Sequence, residues 1–291
     1  MRNTSLALAS LGFFSLFSAI ALAQDPPNPT NGEIRLIVRA DDMGVCRTAN
    51  EACIKAYREG IARSVEVIVN GAWFLDAAKL CNENPKLDVG VHLCLNSEWE
   101  LCKWRPLTGG RSIADADGYF FPMPRQRPDF PPNTGFLDAK PKLEEVEAEL
   151  RAQIEMARKH IRNVTHLSAH MYTPIATPEL RAIAEKLSKE YNLPLECPQA
   201  RPIGHWGEKK SPAEREAAFI TLLENAKPGL WLFVEHPGLD TPEMRGLGHK
   251  GYWDVAADRA GVTFVMTSDK VKQVIQRRGI RLISYAQAYG R

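Results

Sequence analysis

Short apolar runs and longer amphipathic stretches alternate along this chain, and no other feature of the sequence limits its fold as strongly. Residues 34–44 (IRLIVRADDMG), 64–70 (SVEVIVN), 87–95 (LDVGVHLCL), 164–169 (VTHLSA), 193–197, 230–235 (LWLFVE), 263–267 (TFVMT) and 280–284 read as strands bounded by turn formers. Helical signals lie between them. Thr48 and Glu51 have the spacing of a capping box for a helix that runs to about Gly60, and residues 73–80 form a second helix ended by Asn84-Pro85. Leu143, Val146, Leu150, Ile154 and Ile161 recur at helical spacing, while Thr177-Pro178, Ser211-Pro212 with Glu214, and Ser268 open three more helices. Strands that alternate with helices pair in parallel, because each crossover uses a helix to return the chain. Seven or eight such units imply an α/β fold closed into a (β/α) barrel, for which 291 residues is a suitable length.

Two segments fall outside that repeat. Residues 1–23 begin with Arg2, continue through an apolar stretch and end in Ala21-Leu22-Ala23, the pattern of a signal peptide and its cleavage site. The mature protein is therefore expected to span residues 24–291 as one domain, exported to a periplasmic or extracellular space and free of the membrane after cleavage. Residues 96–141 lose all periodicity and fill with proline, glycine, aspartate and aromatic residues. They form a loop insertion after the third strand, and Trp99, Trp104, Tyr119 and Phe120 suit a lid or substrate wall rather than a tether.

Charge narrows the partners. With 37 Lys and Arg against 35 Asp and Glu, the chain has no field to draw nucleic acid or an anionic membrane. A small-molecule substrate is expected, and a homodimer is compatible with the sequence. The six cysteines show no CxxC pair and no zinc-ribbon spacing. Cys53 and Cys81 read as buried thiols, whereas Cys94 and Cys102 flank one loop and are the first pair to test for a disulfide.

Ionisable residues at strand ends carry the functional signal. Asp41 and Asp42 close the first strand, His92 lies in the third, His170 follows the fourth and His236 follows the sixth. In a β/α barrel those strand ends converge on one face, where active sites lie. Buried carboxylates there need a partner, and an Asp with two His supplies a facial N,N,O set for a divalent ion such as Mg2+ or Zn2+. A metal-assisted hydrolase is the expectation. His92 alone would read as a core residue; four strands that each deliver an ionisable group at the same end do not read as core packing. His160, His166, His205 and His249 lack that placement and read as surface or supporting groups.

The same residues, in order and over nearly the whole mature chain, carry a family resemblance. ADDMG, VNGAWF, GVHLCLNSEW, THLSAH and EHPG together resemble the YdjC-like carbohydrate deacetylases. The resemblance implies a distorted barrel related to the polysaccharide deacetylases, and removal of an acetyl group from an N-acetylated sugar or oligosaccharide with a divalent ion. It implies further that Asp42, His92 and His170 ligate the ion, that Asp41 is the general base and that His236 is the acid, although adjacency leaves the order of the two aspartates open. Trp99 and Trp104 then either stack on sugar rings or seal the barrel's edge. The fourth-strand motif departs from the family's aspartate and serine followed by alternating histidines. Here it reads Ser168, Ala169, His170, Met171, Tyr172, with Pro174 beyond, so a different sugar is expected. Two other functions compete: a metal-dependent phosphoesterase on a similar barrel, with Arg39, Arg47 and Arg105 as its basic residues, and a catalytically dead exported carbohydrate-binding protein.

Overall fold

The computed structural model describes residues 32–207 and 211–291; the expected signal peptide, 1–23, lies outside them. The elements are β1 (Ile34–Met43), α1 (Arg47–Arg58), β2 (Ser64–Val67), α2 (Phe74–Glu83), β3 (Asp88–Leu93), α3 (Leu143–His160), β4 (Val164–Ala169), α4 (Pro178–Tyr191), β5 (Arg201–Pro202), α5 (Pro212–Asn225), β6 (Gly229–Glu235), α6 (Pro242–Arg245), α7 (Val255–Thr267), α8 (Asp269–Arg277), β7 (Arg281–Ile283) and α9 (Tyr285–Ala288). Among the described residues no helix is long and apolar enough to cross a membrane.

The strands run β4-β3-β2-β1-β6-β5, with β7 beside the first half of β1, and all the pairings are parallel. One irregular segment joins the two edges. Leu167 on β4 donates to Pro194 O at 2.8 Å and accepts from Glu196 N at 2.8 Å, and a few residues later Arg201 pairs with Trp231 of β6. The ring of strands is thus closed by residues 194–202 rather than by a regular strand, which makes the barrel a distorted one. The strand expected at 193–197 contracts to a single bridge, Leu167 with Leu195.

Two further expectations are corrected. Residues 263–267 are not a strand but the last turn of α7, which packs on α1 and α5. Val255, Arg259, Val262 and Met266 are buried at helical spacing along it, a period that a five-residue apolar window is too short to reveal. Thr48 does not cap α1; the N-cap is Cys46, whose Sγ accepts from Ala49 N at 3.4 Å. The Thr48 N–H is taken instead by Glu243 Oε2 at 2.8 Å, a carboxylate placed at the positive end of the helix. The caps at Thr177, Ser211 and Ser268 form as the sequence predicts. All six cysteines are free; Cys94 and Cys102 are not bridged, and the Cys94 thiol accepts from Trp104 Nε1 at 3.2 Å.

Period-2 alternation sorts each strand between two environments. Leu36, Val38 and Ala40 of β1, with Val65, Val67, Val89, Val91 and Leu93, join the main core beneath the helices. On the inner side Ile37, Leu230, Ile283 and Tyr285 form a small apolar floor. Beyond that floor the barrel interior is polar: Arg39, Asp41, Glu66, His92, His166 and Ser168 are all buried. Gly90 makes this possible, since a Cβ there would lie 2.2 Å from Glu66 Oε2 and 2.5 Å from His166 Nε2. Gly90→Ala should therefore displace a buried ion pair and lower stability by about 3 kcal/mol, seen as a reduced midpoint in urea unfolding.

Candidate metal centre

Both aspartates at the end of β1 face the same pocket, and alternation alone would have separated them. Asp41 follows Ile37 and Arg39 into the barrel. Asp42 adopts a left-handed backbone, φ 68°, where β1 and β2 lose register between Ala40 and Met43. Such a conformation costs a non-glycine residue about 1 kcal/mol and clusters at functional sites. Here it swings the second carboxylate inward. His92 Nε2 then lies 3.5 Å from Asp41 Oδ2 and 3.8 Å from Asp42 Oδ1.

His170 starts the 3-10 turn His170–Ile175, in which Met171 and Tyr172 also take left-handed angles. Its Nδ1 is 3.4 Å from Asp42 Oδ1 and its Nε2 is 3.1 Å from Glu98 Oε2. Asp42, His92 and His170 bring one ligand atom each within 4.8 Å of one another. Asp42 Oδ1 is buried and has no hydrogen-bond partner. A desolvated carboxylate oxygen that makes no hydrogen bond and lies 3.4 and 3.8 Å from two imidazole nitrogens fits the donor set of a divalent cation.

The remaining carboxylate oxygens are already held. Arg39 donates from Nε to Asp41 Oδ1 at 2.7 Å and from Nη2 to Oδ2 at 2.8 Å, while Nη1 reaches Glu196 and Tyr285. Arg259 donates to Asp42 Oδ2 at 2.7 Å. Burial by itself would raise the pKa of Asp42, but His236, Arg259 and His170 outweigh it and hold the group well below the usual carboxylate range. For His170, burial works downward and is overcome by Glu98 and Asp42 among others, so its pKa stands well above the ordinary value. Burial dominates at His92 and pulls it down to about 4, leaving a neutral ring. The cluster therefore attracts positive charge at His170 and offers a free lone pair at His92.

Around these groups lies an open cavity of about 310 Å³, lined by Glu98, Trp99, Tyr172, His236, His249 and Arg259 among others, at the carboxyl ends of β1, β3, β4 and β6. His236 is part-exposed at its mouth, with Nε2 4.0 Å from Asp42 Oδ2.

A family model described as YdjC-like protein matches residues 35–277. The chain belongs to the YdjC-like family. A carbohydrate deacetylase of Thermus thermophilus is 33% identical over 73% of this chain and 80% of its own length. A chitooligosaccharide deacetylase of Yersinia enterocolitica is 30% identical over 86% of this chain and 98% of its own. Among solved structures, an Enterococcus faecalis protein assigned provisionally to cellobiose-phosphate cleavage has the same fold, with a TM-score of 0.69, 23% identity, and coverage of 87% of this chain and 98% of that one.

All five site residues predicted for this YdjC-like chain, Asp41, Asp42, His92, His170 and His236, line the one pocket. The phosphoesterase reading loses its basic residues. Arg39 is spent on Asp41 and Glu196, Arg47 pairs with Glu51 on the surface, and Arg105 lies over Tyr119 outside the pocket. Trp99 and Trp104 are buried and seal the wall: Trp99 stacks on His249 beneath Arg259, and Trp104 packs against His170. The aromatic ring at the mouth that faces solvent is Tyr172, 71% exposed. Sequence reasoning missed Glu66 and Glu98, read His166 only as a surface or supporting group, and missed Arg259. The period-2 pattern of polar residues in SVEV, DVGVH and THLSAH was a readable sign of the first and third; Glu98 and Arg259 left no sign of their role.

Proposed function

We propose that this protein is a metal-dependent hydrolase that removes the acetyl group from an N-acetylated sugar, with the ion held by Asp42, His92 and His170. The observation that carries the assignment of the site is the buried Asp42 Oδ1, without a hydrogen bond and between two histidines, in a pocket that also presents an arginine-clamped aspartate. Family membership and the deacetylase relatives support the reaction class. When bound, a divalent ion would polarise the acetyl carbonyl and make a water easier to deprotonate.

Asp41 is the general base. The two hydrogen bonds from Arg39 fix the plane of its carboxylate, so Oδ2 is held ready to take a water's proton without a search over rotamers. His236, at the mouth, is the acid that gives a proton to the departing amine nitrogen. Arg259 has Nε and Nη1 buried without partners, two donors suited to an oxygen of the substrate. Tyr172 offers a flat ring for a sugar face. A cavity of this volume encloses one sugar residue with its acetyl group, and the loss of the family's later histidines in favour of Tyr172 and Pro174 points to a sugar other than a chitooligosaccharide. Export, from the leader at 1–23, fits a substrate met outside the cytoplasm.

The test is acetate release from a panel of N-acetylated mono- and oligosaccharides, run beside phosphate release from sugar phosphates. Acetate released only in the presence of a divalent ion is the expected outcome; phosphate release without acetate would overturn it.

A further inference from the structure

A column of hydrogen bonds leads from His92 away from the pocket, through the barrel interior, and its proton positions follow from counting. Ser168 Oγ is 2.7 Å from His92 Nδ1 and donates to Glu66 Oε2. A hydroxyl has one proton and a carboxylate only accepts. Burial would raise the pKa of Glu66, but His166 and then Arg39 outweigh it and hold the group down at about 2, so the acceptor is a carboxylate. The Ser168 proton is therefore committed to Glu66, and its oxygen must accept from His92. His92 carries its hydrogen on Nδ1, which leaves the lone pair on Nε2, the nitrogen that faces Asp41 and Asp42.

The far end of the column is determined in the same way. Thr165 Oγ1 donates to Asp88 Oδ1 at 2.5 Å, so it accepts from His166 Nδ1 at 2.7 Å. His166 Nε2 lies 2.6 Å from Glu66 Oε1 and donates there too. With both nitrogens donating, His166 is an imidazolium, stacked on Tyr285 at 4.1 Å between centroids. It holds Glu66 charged and in place.

We infer that Glu66, acting through Ser168, is a positioning residue that locks His92 in the tautomer whose Nε2 can bind a cation. This rests on the metal-centre reading given above. Metal-binding histidines usually give their second N–H to a carboxylate or carbonyl; in this chain the carboxylate arrives from β2, and a serine spans the gap. That accounts for the departure at 168, where the family's motif has an aspartate on β4 itself.

The experiment compares the wild-type chain with Glu66→Gln, Ser168→Ala, and Glu66→Gln combined with Ser168→Asp. Each is purified without metal and checked for native circular dichroism. Nitrogen-15 NMR of the histidine rings, taken before metal is added, reads the tautomer directly. Zn2+ affinity is then measured by competition with a chromophoric chelator. A glutamine amide at 66 donates to Ser168 and turns the serine proton onto His92 Nδ1. Glu66→Gln should thus move the His92 hydrogen to Nε2 and weaken Zn2+ binding about 10–100-fold, with Ser168→Ala weakening it similarly. The double variant, with a carboxylate restored beside Nδ1, should recover both the tautomer and the affinity, which a merely structural ion pair would not do. The inference is overturned if Glu66→Gln keeps the wild-type tautomer and affinity, or if the folded double variant is no better than the single. A wild-type chain that binds no divalent ion would instead remove the metal centre, while the tautomer measurement still decides the role of Glu66.

Discussion

Replacing His170 by alanine is expected to remove both the bound cation and all measurable deacetylation. The substitution deletes one of three donors and leaves Asp42 Oδ1 with a single imidazole, 3.8 Å away, while Glu98 Oε2 loses the ring nitrogen it faces at 3.1 Å. Two buried acids then face each other without the group between them. The loss of affinity should be well above the ~10–100-fold that follows removal of an outer hydrogen-bond partner. His92→Ala should behave alike. Elemental analysis of the purified variants for bound metal, alongside acetate release, reads both effects together; a His170→Ala protein that keeps its ion and its turnover would refute the ligand set.

Asp41→Asn separates binding from chemistry. Both of its oxygens lie against Arg39, and the nearer of the two is 3.5 Å from His92 Nε2, so the side chain sits beside the candidate ligands without being one of them. An asparagine keeps the shape and one acceptor for Arg39, whose Nη1 still has Glu196 and Tyr285. The fold and the cation should survive, with affinity changed only a few-fold. Turnover should fall by about 10²–10⁴, the usual contribution of a positioned general base. The discriminating measurement is kcat together with metal content. If Asp41→Asn loses the ion, the two aspartates have been assigned in the wrong order.

The parts of this molecule that were legible in its sequence share a physical property: they depend on a residue and its near neighbours. Apolar runs ending in turn formers placed β1, β3, β4 and β6, and Thr177, Ser211 and Ser268 announced their helices by capping chemistry. Strand-end convergence then predicted that Asp41, Asp42, His92, His170 and His236 meet, because every parallel strand of a barrel delivers its last residues to one face, and the family resemblance singled out three of them as ligands. Where the reading failed, the local signal was ambiguous or overruled. TFVMT has the composition of a strand and is the end of a helix, since α7 buries it against α1 and α5. Thr48 and Glu51 have capping-box spacing, yet Glu243, remote in sequence, supplies the acceptor.

What the sequence by itself determined was the fold class, the family and the set of metal-binding candidates. Tertiary structure alone decided how the charges are shared among them. Asp42 is tied to Arg259 across 217 positions of chain, and Glu66 to His166 across 100; no local pattern encodes such pairings, because each exists only once the barrel has brought its strands together. The same holds for the inward turn of Asp42. Aspartate takes a left-handed φ more readily than most residues other than glycine, but nothing local marks which of two adjacent aspartates does so, and it is the closed site, with its helices and its neighbouring strand, that holds the backbone there and sets both acids beside one pocket.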